Sequence, residues 1–259
     1  MGLFNYTKCK NNVIYPNWNQ AKKNLILGRN EVHVWYASLE QSKNFLYRLS
    51  RTLSVQELQR AQRFYFQKDR EHYIIAHGIL RDILSRYLKI EPTQLNFYCN
   101  PFGKPYLTEN SGGQFLKFNL SHSDGIAMYA IAHNREVGID VERIRPDFAS
   151  EQIAERFFSQ QEIAILRSLP ENLQVEGFFN CWTRKEAFIK AIGQGLSFGL
   201  DKFAVSLTPE EPARLLNVYD CSQKVRDWVL EEISFNSHFK AAIAVQGNQC
   251  SLKKWQWCP

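Results

Sequence analysis

Between residues 114 and 143 the chain passes through QFLKFNLS, GIAMYAIAH and REVGIDVER with only short breaks between them. Each is rich in apolar and β-branched residues over four to eight positions, which reads as three strands. Helical periodicity lies on both sides, so the chain is read as α+β. Upstream, Ser54 and Glu57 form a capping box that opens a short helix carrying Leu58 and ending near Arg63 or Phe64. A longer helix from about Asp69 to Leu88 places Tyr73, His77, Leu80, Leu84 and Leu88 at helical spacing. Asn100-Pro101 and Gly103-Lys104-Pro105 mark turns.

Downstream, helical spacing returns from Ala149 to Phe158, restarts behind a second capping box at Ser159 and Glu162, and appears again from Phe178 to Ile192. The tail alternates in FAVSL, WVLEEISF and AAIAVQ, the pattern of a closing antiparallel sheet. No repeat, low-complexity tract or Gly/Ser linker marks a seam. The order of elements places the division near Asn134, giving halves 1–134 and 135–259.

Of 259 residues 44% are hydrophobic and 14% aromatic, enough for one large core or two modest ones, which excludes a disordered chain. There is no uncharged apolar run of about 18 residues, and MGLFNYTKCKNN lacks the apolar core and cleavage site of a signal peptide. A cytoplasmic protein that does not enter a membrane is expected. The six cysteines, Cys9, Cys99, Cys181, Cys221, Cys250 and Cys258, are scattered without a CxxC pair, which suits reduced thiols. The net charge of +6 predicts attraction to phosphates, acidic proteins or nucleic acid without choosing among them.

Alternation from Glu136 to Glu142 turns Val137, Ile139 and Val141 one way and Asp140 and Glu142 the other. The two carboxylates stand roughly 6.6 Å apart at about 3.3 Å per residue, close enough for long side chains to meet on one divalent cation. The same spacing fits a polar strand face in water. In CWTRKEAFIKAIGQG, Trp182, Glu186 and Lys190 follow at i, i+4 and i+8, and Gly193 or Gly195 ends the helix. Phe178, Trp182, Ile189 and Ile192 form its buried stripe, with Glu186 and Lys190 along the edge. That edge lines a cleft, or is an ordinary Glu-to-Lys surface pair worth about 0.2–0.5 kcal/mol. Ser121 and His122 end a strand and point to opposite faces, so ligand contact suits them better than a nucleophile and base pair. A structural histidine fits equally. Lys104, on its tight turn, is placed to present an ammonium to phosphate, or simply to water.

In order, GKP at 103–105, FNLSHSDG at 118–125, VGIDVER at 137–143, RFFSQQE at 156–162 and CWTRKEAFIKAIGQGL at 181–196 resemble the motifs of the surfactin-type phosphopantetheinyl transferases. The resemblance implies two similar α/β half-domains related by a pseudo-twofold axis, with coenzyme A and Mg²⁺ in the cleft between them. It implies that Asp140, Glu142 and Glu186 hold the metal and that Lys190 lies by the diphosphate. Lys104, Ser121 and His122 match residues that contact coenzyme A, and Arg60 falls near the contact for its 3′-phosphate. His72 stands where the bacterial prototype has an arginine toward that phosphate, with Arg70 as the neighbouring substitute.

The implied reaction is displacement at the β-phosphorus of coenzyme A by a serine of an apo acyl or peptidyl carrier protein, releasing adenosine 3′,5′-bisphosphate. Asp140, Glu186 and Lys190 are then the catalytic residues. Glu186 takes the serine proton, directly or through a metal-bound water. The protein is expected to act as a monomer without nucleic acid. Two other readings remain open at this point. One is a basic module holding RNA or DNA through Arg60, Arg63, Arg70 and Arg81. The other is a magnesium-dependent nucleotide hydrolase.

Overall fold

The computed structural model describes residues 18–20, 25–219 and 223–258. The N-terminal dodecapeptide, Cys9 and Cys221 lie outside these residues, and Cys99, Cys181 and Cys250 are free thiols. In chain order the first half contains β1 (Asn19–Gln20), β2 (Glu31–Ser38), α1 (Lys43–Ser50), α2 (Val55–Ala61), α3 (Gln67–Leu88), β3 (Phe97–Cys99), β4 (Pro105–Leu107), β5 (Leu116–Ser123) and β6 (Ile126–His133). There follow β7 (Val137–Arg143), α4 (Glu151–Phe157), α5 (Gln160–Ser168), α6 (Glu171–Ile192), β8 (Phe203–Val205), β9 (Leu215–Val218), β10 (Trp228–Glu232), β11 (Phe239–Gln246) and β12 (Ser251–Gln256).

The fold is mixed α/β, layered as helix, sheet, sheet, helix. A five-stranded sheet has the order β1-β12-β2-β6-β5, and a three-stranded sheet the order β10-β11-β7. Ile79 and Ile83 of α3 pack on Trp35 and Tyr129 of the first sheet. Val34 and Met128 on its other face meet Ile139 and Ile243 of the second. Phe188 and Ala191 of α6 cover that sheet's outer face at Leu230, Ala242 and Ala244. Each large apolar side chain buried this way stabilises by about 1.5–3 kcal/mol.

Both expected capping boxes form. Ser54 Oγ accepts from Glu57 N while Glu57 Oε2 accepts from Ser54 N, and Ser159 and Glu162 repeat the exchange. The structure starts α6 at Glu171, seven residues before Phe178, because Pro170 at the N-cap needs no donor there. Trp182 and Ile192 are only partly buried, so the buried stripe is narrower than expected.

The tail departs further. FAVSL becomes β8, which pairs only with β9, while β10 and β11 join β7 antiparallel as the alternation suggested. The last strand, β12, runs parallel to β2 in the first sheet, with Trp255 opposite Trp35. A cut at residue 134 therefore separates α3 from α6 but leaves β12, a strand of the first sheet, with the second half. Among the described residues no helix is long and apolar enough to cross a membrane.

The sheets meet where the edge strands β5 and β7 lie side by side. Side chains serve the β7 backbone here: Asn119 Oδ1 accepts from Ile139 N at 2.9 Å, Ser121 Oγ from Val141 N at 3.4 Å and Ser123 Oγ from Arg143 N at 3.2 Å. The far end of this seam carries the polar residues singled out above.

Candidate active site

Asp140 and Glu142 leave the face of β7 that α6 covers, opposite Val137, Ile139 and Val141, as alternation demands. The close approach of α6 depends on Gly138. A Cβ at that position would lie 2.1 Å from the Ala187 carbonyl oxygen and 2.3 Å from Ala191 N, so any other residue would push the helix away. With the helix in contact, Glu186 and Lys190 hang over Asp140. Leu120, Ser121 and His122 of β5 and Trp182 of α6 complete an open cleft of about 380 Å³.

Asp140 is 2% exposed. Its Oδ1 accepts from Lys190 Nζ at 2.6 Å and from Ser121 Oγ at 2.9 Å, while its Oδ2 is buried without a partner. Ser121 Oγ also accepts from Lys190 Nζ at 2.9 Å. Ser123 Oγ donates to Glu142 Oε2 at 2.9 Å. Burial, followed by the charge of Asp140, pushes the Glu142 carboxyl up to about 7 and holds Glu186 above the usual carboxylate range. Burial disfavours the Lys190 ammonium, but the attraction of Asp140, and then of Glu186 and Glu142, raises its pKa above the ordinary lysine value. The cleft walls disfavour a charged His122, and His77, Lys190 and His72 act the same way, so its pKa lies below the usual value.

Three carboxylates with one ammonium leave a deficit of positive charge and one buried oxygen unanswered. Among the described residues no three His, Cys, Asp or Glu side chains close on a single point. Magnesium does not need such a cage: it commonly takes one or two carboxylates and completes its shell with water and phosphate oxygens. Asp140 Oδ2, with Glu142 and Glu186 beside it, fits an ion held in that way.

A groove of about 310 Å³ adjoins this cleft across Leu120 and is lined by Arg60, Tyr73, His77, Tyr98, Gly103 and Pro105. Arg60 is exposed within it. Lys104 is not available to it. Its side chain is buried, and Nζ donates to Glu136 Oε2 at 2.8 Å, Ala191 O at 2.8 Å and Val137 O at 3.3 Å, which occupies all three N–H groups. Of the 103–105 turn, Gly103 and Pro105 border the groove. His72 Nε2 lies 3.3 Å from Glu40 Oε1, and Arg70 Nη2 donates to Phe64 O at 3.4 Å.

Residues 35–134 match the family model described as 4′-phosphopantetheinyl transferase, N-terminal, and residues 136–245 match that of the 4′-phosphopantetheinyl transferase superfamily. The chain is 40% identical over 240 residues to the 4′-phosphopantetheinyl transferase HetI of Nostoc sp., covering 93% of this chain and 98% of that protein. The chain belongs to the 4′-phosphopantetheinyl transferase family. It is also 32% identical to the transferase Sfp of Bacillus subtilis strain 168, over 60% of this chain and 66% of that one. With the human L-aminoadipate-semialdehyde dehydrogenase-phosphopantetheinyl transferase it shares 26% identity over 76% and 68% of the two chains.

Within this transferase the cleft brings together Asp140, Glu142, Glu186, Lys190, Ser121 and His122 from three elements. Arg60 stands in the adjoining groove, and Lys104 stays outside both. Two residues of the site escaped the sequence reading. Trp182 was placed in the buried stripe, although its i−4 spacing from Glu186 puts it on the same edge. Ser123 shares a strand face with Ser121, and the same period of two that picked out Asp140 and Glu142 would have found it.

Proposed function

We propose that this transferase works in the Asp140 cleft, moving the 4′-phosphopantetheine arm of coenzyme A onto a serine of an apo acyl or peptidyl carrier protein. The observation that carries this reading is the meeting of Asp140, Glu142, Glu186 and Lys190 in one cleft of a chain with this family membership. The serine oxygen bonds to the β-phosphorus as the bond to the bridging oxygen breaks, and adenosine 3′,5′-bisphosphate leaves. Glu186 accepts the serine proton. Lys190 spends two N–H groups on Asp140 and Ser121 and keeps the third for the diphosphate. Ser121 gives its own proton to Asp140, so it aligns rather than attacks. His122 contacts coenzyme A, and Arg60 meets the 3′-phosphate in the adjoining groove. Asp140, with Glu142 and Glu186, would hold a magnesium ion, which when bound would supply neutralisation of the diphosphate charge.

The same reading divides the chain at residue 134 into halves related by a pseudo-twofold axis. Its support is a repeated construction. In each half a capping-box helix precedes a 22-residue helix, and the capping glutamate pairs with a buried cation at the fifteenth position of that helix: Glu57 with Arg81, Glu162 with Lys185. The next residues, Asp82 and Arg86 in α3, then correspond to Glu186 and Lys190 in α6.

The nucleic-acid reading loses one of its four arginines. Arg81 is 2% exposed and spends its guanidinium on Glu57, Pro92 O and Leu95 O. A hydrolase reading explains the carboxylates but not the family membership. The deciding experiment is mass spectrometry of apo carriers incubated with this protein, coenzyme A and Mg²⁺. One phosphopantetheine should be added to the serine by the native chain and none by Asp140→Ala with its fold intact; modification by that variant at ordinary Mg²⁺ would refute the assignment.

A further inference from the structure

On the β5–β7 seam one small device occurs twice, two residues apart. Ser121 Oγ accepts from Val141 N and donates to Asp140 Oδ1 at 2.9 Å; Ser123 Oγ accepts from Arg143 N and donates to Glu142 Oε2, also at 2.9 Å. Each hydroxyl has one proton and commits it to a carboxylate, while the N–H of the following β7 residue fixes the oxygen that carries it. Each carboxylate is thereby tied by one oxygen. The other oxygen stays open: Asp140 Oδ2 is buried without a partner, and among the described residues no hydrogen bond is made to Glu142 Oε1.

Strand adhesion alone does not account for this. Asn119 Oδ1 accepts from Ile139 N at 2.9 Å and so holds the same seam, but it serves no carboxylate of the cleft. Adhesion needs only an acceptor, whereas the serines supply an acceptor and a donor. The donor is what sets the carboxylate rotamer.

We propose that Ser123 is a positioning residue, which with Ser121 holds the β7 carboxylates by one oxygen each so that their free oxygens face one divalent cation. The idea rests on the proposed magnesium site. Groups that hydrogen-bond metal-ligating carboxylates commonly change metal affinity by about 10–100-fold when removed. Ser123 is partly exposed, so trimming its hydroxyl leaves little cavity.

The test is Mn²⁺ binding, followed by loss of the free-ion electron paramagnetic resonance signal in the presence of coenzyme A. Ser123→Ala should bind Mn²⁺ about tenfold or more weakly, and Ser123→Thr, which keeps the hydroxyl, should recover most of that loss. Asn119→Ala should lower the melting temperature while keeping Mn²⁺ affinity within about threefold. If Ser123→Ala does not fold, Ser123→Cys, with a weak donor of similar shape, reads the same loss. No Mn²⁺ binding by the unsubstituted protein would overturn the metal reading and this one with it. Native-like affinity in Ser123→Ala, or an equal loss in Asn119→Ala, would overturn the positioning role alone.

Discussion

Lys104 sits between a glycine and a proline, where a side chain is usually thrown into solvent, yet its ammonium ends inside the protein. It joins the last carbonyl-bearing turn of α6 to β7 through Ala191 O, Val137 O and Glu136. Burial lowers its pKa, and Glu136 only partly offsets this. Lys104→Met should leave two buried carbonyl oxygens unpaired and cost roughly 3 kcal/mol. Coenzyme A affinity, measured well below the melting temperature, should change by less than about threefold. A phosphate contact would reverse that pattern, with little change in melting temperature and tenfold or more lost in binding. The sequence announced the turn but not the destination, because the partners lie 32 and 87 residues away. Asp140 and Glu142 were legible since their relation is local and follows from strand alternation. That Glu186 and Lys190 arrive above them depends on Gly138, whose importance appears only when the helix is seen against it.

Helix α2 shows how a local signal becomes a tertiary one. Its capping-box carboxylate also accepts from Arg81 of α3 at 2.6 and 3.0 Å and lies 3.5 Å from His77 Nδ1. Burial alone would raise the pKa of Glu57, but bonds from His77, Arg81 and the Ser54 N–H, with the Arg81 charge, hold it at about 2. A folded value below the unfolded one means stability that is present above about pH 4.5 and lost as pH falls toward 2. Glu57→Gln should therefore be less stable at pH 7, by up to about 3 kcal/mol, and show a flatter decline between pH 4.5 and 2. Urea titrations across that range read both effects; parallel pH profiles for the two proteins would contradict it. Helices opened by capping boxes and strands bounded by turns were readable from sequence because each signal is local. Strand β2 was not: EVHVWYAS is buried on both faces and shows no alternation. Strand β12 was missed for another reason, since its parallel partner β2 lies more than 200 residues earlier.

At the scale of the molecule, β12 makes the first sheet depend on the end of the chain. It pairs with β2 from Ser251 to Gln256, and Trp257 N continues the ladder to Tyr36 O at 2.8 Å. Trp257 Nε1 donates to Asp82 Oδ2 at 2.7 Å, Asp82 pairs with Arg86, and the Arg86 guanidinium lies over the Trp35 ring. Removing residues 251–259 would uncover this cluster and leave β2 as a long apolar edge, the kind of edge that recruits other chains. No residue of the cleft is deleted, yet the cleft stands on β5, which reaches β2 only through β6. The truncated protein should therefore lose cooperative thermal unfolding, aggregate and fail to modify an apo carrier. Trp257→Phe keeps the packing but loses the bond to Asp82, and should fold with a melting temperature only a few degrees lower and with transfer intact. Circular dichroism melts paired with the carrier assay separate the two variants. A truncated chain that melts cooperatively and still transfers would mean that β5, β6 and α3 support the cleft without β12, and that the last strand only covers an edge.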